Sequence, residues 1–460
     1  MALEAVGSSP IFHPISILGC SQVVRHGTLT PACEGSNPSI PAICDPLAQP
    51  VEHLTFNQGV WSSNLQWVTR TKEAQDASFV LYFSIEEVPM RLFRQKTEVH
   101  LFSHTADFAG EIQISSKDFI LASRSAYEKY FLPLNLDAHV FYKSDYGKSE
   151  PTDLMVDALI SDFIATGCDR IIAIGGGSVI DMAKILVVKD VTNAKDVFQR
   201  KIPINKAHEL VAVPTTCGAG SEVSAVSIIS ATARGTKVGL ADDALIPDYA
   251  VLIPELLTEM PYEVFVTSAI DALIHALESY VCPKANYYSD LFCVESTRLI
   301  VNGFKRIILE GEGVRQDLLQ DFLLASNMAG IAFSNAGTGA VHAMSYPLSG
   351  QYNVTHGEAC YQLFTSVFQE YHRVNPDGKI RRIESLLADI LQCDAGEVFF
   401  ELEEILNQIV PRHKLRDYGM CEADVELFVD NVFEMQQRLL AQSYVMLSKE
   451  AMIRIYRSLL

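Results

Sequence analysis

Positive charge is scarce in this 460-residue chain: 36 Lys and Arg stand against 56 Asp and Glu, a formal balance of −20. That balance repels a phosphate backbone, and no basic stripe with interleaved aromatics offsets it, so no nucleic acid partner is expected. The ten cysteines include no C-x-x-C pair, and a chain of this length does not need disulfides to fold. Reduced thiols in a cytoplasmic protein are the expectation. Hydrophobic residues make up 48%, yet no uninterrupted apolar run reads as a bilayer span, so no membrane is expected as a partner either. Met1 to Gly19 lacks Lys and Arg and is interrupted by Pro14, which argues against reading Ile17-Leu18-Gly19-Cys20 as a lipoprotein signal.

Tryptophan is nearly absent, and its two copies, Trp61 and Trp67, both fall in a stretch rich in Pro, Ser and Asn. Neither helical nor strand periodicity persists there. Residues 1–89 therefore read as an unstructured extension, similar to a conceptual translation of structural-RNA sequence, with Met90 as the natural start. From Met90 the pattern changes. Short apolar runs at Asp118–Ser123, Ala138–Tyr142, Arg170–Ile174 and Glu209–Pro214 suit strands buried on both faces. Between them, Asp153 to Thr166 carries helical spacing behind a Thr152 cap and stops at Gly167. Such alternation predicts an α/β domain with a parallel sheet over 90–253. Beyond Pro254 amphipathic stretches follow one another, which predicts an all-helical domain over 254–460.

Chemistry concentrates in four places. In "RIIAIGGGSVIDMAK", Gly175, Gly176, Gly177 and Ser178 join a strand to a helix, where glycines permit close approach and free N–H groups favour an anion such as a pyrophosphate. The alternative is a plain strand–helix turn, with Asp181 complementing the helix dipole. In "VPTTCGAGSEVS", Thr215 and Thr216 offer hydroxyls at a strand end, the side on which open parallel sheets bind cofactors. In "TSAIDALIHALESYV", Asp271 and His275 sit four apart on one helix face. With His342 and His356 of "GAVHAMSYPLSGQYNVTHGEA" they make available a carboxylate and three imidazoles, a set suited to Fe2+ or Zn2+. For each histidine alone, an ordinary core or surface role is the alternative.

These four motifs, in this order and spacing, resemble those of the iron-dependent alcohol dehydrogenases, and the likeness runs from Met90 to the C-terminus. The resemblance implies a dinucleotide-binding domain followed by a helical metal-binding domain, the arrangement shared with dehydroquinate synthase. It implies Asp271, His275, His342 and His356 as metal ligands, Fe2+ before Zn2+. It implies Gly176, Gly177, Ser178, Thr215, Thr216 and Lys237 as contacts to NAD(H), and a homo-oligomer, a dimer, in solution. "IIAIGGGSVID", "AGIAFSNAG" and "QQRLL" further resemble members that interconvert 4-hydroxybutyrate and succinate semialdehyde, so a small alcohol or aldehyde is the expected partner.

Two positions depart from the common pattern. Tyr346 stands where many members carry a proton-relaying histidine, and a phenol of pKa ~10 is a poorer relay near neutrality. Ser123 and Arg124 stand where many relatives place an acidic residue for the adenosine ribose, which leaves NADP open beside NAD. A substrate with a distal carboxylate needs a partner, for which Arg438, Asn335 and Tyr352 are candidates. Rival readings are another short primary alcohol or diol as substrate, a metal-dependent cyclase, and a non-catalytic oligomeric assembly protein.

Overall fold

The computed structural model describes residues 91–460 apart from Gly235, and the expectations for 1–89 lie outside them. Eight strands come first: β1 (Glu98–Leu101), β2 (Asp118–Ala122), β3 (His139–Tyr142), β4 (Arg170–Gly175), β5 (Glu209–Pro214), β6 (Val226–Ala231), β7 (Thr236–Ala241) and β8 (Tyr249–Leu252). Six form one parallel sheet in the order β1-β8-β5-β4-β2-β3, while β6 and β7 pair antiparallel as a separate hairpin. The four strands legible in the sequence are present, with ends shifted by at most one residue.

Side chains two apart on a strand share a face, and the sheet uses both faces. Ile120, Ile172, Ile174, Val211 and Val213 face the core that continues into the helical half. Their neighbours Phe119, Leu121, Ile171, Ala173 and Leu210 pack instead against α2 (Asp153–Thr166) and α3 (Gly177–Leu186), which follow α1 (Thr105–Ile112). Each such large side chain contributes roughly 1.5–3 kcal/mol on burial. The predicted ends of α2 are observed: Thr152 Oγ1 accepts from Met155 N–H at 3.2 Å, and Gly167 takes the left-handed C-cap.

After α4 (Ala194–Phe198) and the last strands, the chain is helical: α5 (Tyr262–Val281), α6 (Tyr287–Glu310), α7 (Arg315–Ala336), α8 (Ala340–Tyr352), α9 (His356–Val374), α10 (Lys379–Leu391), α11 (Val398–Ile409), α12 (Glu422–Met435) and α13 (Lys449–Leu459). α5 is long and apolar enough to cross a membrane, contrary to the expectation from composition. It lies instead against α6, α7 and α9, with nearly all of Ala269 to Ser279 buried. Helical packing, not lipid, takes up its apolar surface.

Candidate functional site

A cleft of about 920 Å³ runs between the carboxyl ends of β4 and β5 and the helices α5, α8 and α9. At one end Gly177 and Ser178 open α3, and Thr216 closes the turn after β5. At the other end Asp271, His275, His342 and His356 line the wall. Gly176 and Thr215 do not line the cleft: Gly176 packs on Thr216, and Thr215 N–H donates to the Gly175 carbonyl at 3.1 Å. Lys237 does line it, but its Nζ pairs with Glu150 at 2.7 Å and lies 5.6 Å above the Tyr346 ring.

Close backbone approaches set the four predicted ligands. A Cβ on Gly218 would stand 2.6 Å from the Ser268 carbonyl, so only glycine lets that turn reach α5. The turn then presents the Gly218 carbonyl to His275 Nδ1 at 3.2 Å. Likewise a Cβ on Gly357 would stand 2.5 Å from the Thr267 carbonyl, and this contact sets the first turn of α9, with His356, beside Asp271.

Tautomers follow from these partners. A carbonyl can only accept, so His275 Nδ1 carries hydrogen and its Nε2 presents a lone pair. Glu278 accepts from the N–H groups of Gly339 at 2.9 Å and Val341 at 2.7 Å, and sits 2.6 Å from His342 Nδ1. As an acceptor it fixes that proton too, so His342 Nε2 also presents a lone pair. The two Nε2 atoms face each other at 2.9 Å. Two lone pairs at that distance repel unless a positive species joins them.

The carboxylate makes the same demand. Asp271 Oδ1 is buried with no hydrogen-bond partner among the described residues, and lies 3.8 Å from Nε2 of both His342 and His356. An orphaned buried oxygen costs about 1–3 kcal/mol or more when charged. Burial pulls His275 down to about 4 and His356 down to about 3, in both cases against the pull of Asp271. Burial pushes Asp271 up, but His275, His356 and His342 outweigh it and hold the carboxyl below its ordinary value. Burial also opposes charge on His342, yet Glu278 outweighs it and raises that imidazole. His275 and His356 are thus held neutral beside an ionised Asp271, while a cation at His342 would take the place of the proton that Glu278 favours there; a divalent cation fits this donor set.

Two participants were not read from the sequence. Glu278 follows Asp271 at i+7 and His275 at i+3, the same helix face, and that spacing was the available signal. Cys360, one turn after His356, brings its Sγ into the cluster: the ligand atoms of Asp271, His342, His356 and Cys360 all lie within 4.8 Å of one another.

Several expectations are corrected. Asn335 lines the cleft, but its amide is used up by the Arg94 backbone and the Ile331 carbonyl at 2.7–3.0 Å. Tyr352 lies away from the cleft and donates to Asp424 at 2.8 Å. Neither has a donor free for a substrate. Arg124 is held by Asp145 at 2.6 Å and Glu128 at 3.2 Å and lies 4.0 Å over Tyr142, so it is not the free cation a 2′-phosphate needs. Asp181 is no simple dipole partner: it accepts from Ser221 Oγ and from Ile228 N–H. Tyr346 lines the cleft with its ring centre 6.0 Å from that of His356, and burial raises its hydroxyl. Arg438 lines the cleft and reaches Gly239 of β7, with no salt bridge or hydrogen bond among the described residues.

Comparison with known proteins points the same way. The family described as iron-containing alcohol dehydrogenase matches residues 92–254, and its C-terminal part matches 265–460. The 4-hydroxybutyrate dehydrogenase of Clostridium kluyveri is 45% identical over 370 residues, 80% of this chain and 100% of that protein. The NAD-dependent methanol dehydrogenase of Bacillus methanolicus is 28% identical, over 65% of this chain and 79% of its own. A solved sulfoacetaldehyde reductase from Bifidobacterium kashiwanohense, in complex with NAD+, shares the fold with a TM-score of 0.70 at 23% identity, covering 80% of this chain and 98% of the other.

Proposed function

This chain belongs to the iron-containing alcohol dehydrogenase family, and from that premise we propose that it interconverts 4-hydroxybutyrate and succinate semialdehyde with NAD(H) and a divalent metal, iron before zinc. The balanced reaction is 4-hydroxybutyrate + NAD+ ⇌ succinate semialdehyde + NADH + H+. Full-length identity of 45% to the Clostridium kluyveri enzyme supports the substrate. The observation that carries the chemistry is the facing pair of imidazole lone pairs beside the orphaned Asp271 oxygen, at one end of a cleft whose other end is a glycine-built helix start.

Asp271, His275, His342 and His356 hold the cation in this reading. When bound, it supplies Lewis acidity toward the substrate's terminal oxygen, while the nicotinamide takes or gives the hydride. The chain's own work is positional. Glu278 fixes the His342 tautomer and ring plane, as carboxylates behind metal-bound imidazoles do. Gly177, Ser178 and Thr216 offer backbone N–H and hydroxyl groups to the cofactor's pyrophosphate at the start of α3. Tyr346 and Phe333 wall the cleft and exclude water from the reacting carbon.

Arg438 meets the distal carboxylate in this reading, because its guanidinium lines the cleft without a partner among the described residues and can bind a carboxylate bidentately. The test is kcat/KM for succinate semialdehyde against butanal, which lacks the carboxylate. A charged hydrogen bond of ~1.5–3 kcal/mol predicts at least ~10-fold preference for succinate semialdehyde. Arg438→Ala should remove most of that preference while leaving butanal unchanged. Equal rates for the two aldehydes in the unaltered protein would overturn the substrate.

A further inference from the structure

Arg438 and Gln442 both line the cleft and stand four residues apart on the turn of backbone that follows α12. Ala441 N–H donates to the Gln437 carbonyl at 3.0 Å and Gln442 N–H to that of Leu439 at 3.0 Å, so this segment is wound helically. Side chains four apart on such a turn project from the same side. The guanidinium and the amide therefore meet the cleft together.

The Asn335 amide is used up by the Arg94 backbone and the Ile331 carbonyl, whereas neither end of the Gln442 amide is bonded among the described residues. Its Oε1 is buried against Gly337, where a Cβ would stand 2.6 Å from that oxygen and 2.7 Å from Cδ. Gly337 takes a φ of +113°, open to glycine without strain. Room for this amide is thus built into the loop between α7 and α8. The next residue continues the contact: Ser443 Cα would stand 3.2 Å from a Cβ on Gly339, whose N–H donates to Glu278. Gln442 is anchored on the same short loop that leads into His342.

With Oε1 turned to the loop, Nε2 is the end left for the cleft. The terminal torsion of glutamine is broad, so this N–H can aim at a ligand while the rest of the side chain stays packed. Buried amides are ordinarily bonded, and one that is not marks a place for a ligand. We propose that Gln442 is a specificity-determining residue, its Nε2–H donating to the distal carboxylate of the substrate beside the Arg438 guanidinium. A carboxylate has two oxygens and about four lone-pair sites, enough for both donors. The methyl end of butanal accepts from neither. The inference rests on the 4-hydroxybutyrate reading above, and the experiment separates the two.

The metal-loaded full chain and two variants are compared by the ratio of kcat/KM for succinate semialdehyde to that for butanal. A second readout is titration, in the presence of NAD+, with butyrate, a carboxylate that lacks the reacting oxygen. Gln442→Leu keeps the volume beside Gly337 and removes the donor. Its ratio should fall about tenfold or more, as for a hydrogen bond to a charged group, and butyrate should bind more weakly by a similar factor. Gln442→Glu keeps the shape and sets a like charge beside the carboxylate, so both values should fall further. A ratio and a butyrate affinity within twofold of the unaltered protein in both variants would overturn the role of Gln442 and leave the substrate reading standing. A ratio near one in the unaltered protein overturns the substrate reading, and the proposal falls with it. A loss shared equally by both aldehydes, with butyrate binding unchanged, would make Gln442 a support of the loop before α8 and overturns the proposal as well.

Discussion

Two helices of this protein bury a carboxylate and a nitrogen base about one turn apart, and they treat them in opposite ways. On α3, Lys184 is completely buried, with Nζ donating to Ser221 Oγ, Ser224 Oγ and the Val226 carbonyl at 2.6–3.0 Å. Its neighbour Asp181 accepts from Ser221 Oγ at 2.5 Å and Ile228 N–H at 2.9 Å. Every donor and acceptor there has a partner, and the result is a strut tying α3 to the β6 hairpin. On α5, Asp271 keeps an orphaned oxygen and His275 keeps a lone pair facing another lone pair. Lys184 is as deeply buried as His275 and Asp181 only a little more open than Asp271, so burial does not mark the site. Unfinished hydrogen bonding does.

The comparison breaks most visibly if the α5 cluster is structural after all. His275→Ala or His356→Ala should lose most of the bound metal and lower kcat/KM about a thousandfold or more, the several kcal/mol that a Lewis acid supplies. Compared metal-free, the variant and the unaltered protein should have nearly the same urea midpoint, because the unsatisfied cluster contributes little to folding without its cation. Metal content, kcat/KM and the urea midpoint on one preparation decide it. A variant that keeps its metal and turnover but unfolds early would make α5 a second strut.

Lys184→Met tests the other side. It leaves Asp181 buried beside an apolar chain, and breaking a buried pair costs about 3–5 kcal/mol. Bound metal per folded chain should stay at the unaltered value. The pH dependence sharpens the test. Burial pulls Lys184 down to about 8, so between about 8 and the ordinary 10.5 the unfolded chain holds a proton that the folded chain has released. Stability from this group therefore rises with pH across that window. Asp181, raised by burial, acts with the opposite sign, its contribution falling as pH rises. Urea midpoints at pH 7.5 and 10 should differ less in Lys184→Met than in the unaltered protein; an unchanged difference would mean that Lys184 titrates normally.

Much of this was legible along the chain, and the reason is locality. The α2 caps, the strands β2 to β5 and the Asp271–His275 spacing each depend on residues within a few positions of one another. β1 escaped notice because it is four residues long and mostly exposed, while β8, an apolar run as short as β3, carried a signal as legible as that strand's and was missed. Lys184 reads in sequence as a solvated helix residue; only the β6 hairpin, some forty positions on, buries it. Asn335 and Tyr352 failed as substrate donors for the same reason, since Arg94 and Asp424 are distant in sequence. Residue types revealed what could bind. Which of them were already satisfied required the fold.

Glu278 lies between the two classes: fully bonded itself, it holds His342 in the form that leaves a donor free. Glu278→Gln keeps the size but can present an N–H to Nδ1, favouring the wrong tautomer. Outer-sphere changes of this kind weaken metal affinity or activity ~10–100-fold. A metal titration should show that loss with the fold intact. Affinity unchanged within twofold would mean that the helix α8 backbone, not Glu278, orients the ring.

The smallest effect is expected at the adenosine end, where a satisfied cation faces a question usually put to free ones. Arg124 follows Ser123 at the end of β2, near where a 2′-phosphate would distinguish NADP from NAD. Its guanidinium is engaged by Asp145 and Glu128 and rests on Tyr142, all on the surface. A phosphate would have to compete with two carboxylates already in place, and would bring its own charge close to theirs. Exposed ion pairs are individually weak, so the exchange is not forbidden, but it gives little net preference. Arg124→Ala should therefore change the NADPH-to-NADH ratio of kcat/KM by about threefold or less. Asp145→Asn is the informative partner: it frees the guanidinium, and the ratio should then move toward NADPH. A tenfold loss of NADPH use in Arg124→Ala would show that this arginine leaves its carboxylates for the cofactor, and that satisfied side chains in this protein can be recruited as readily as unsatisfied ones.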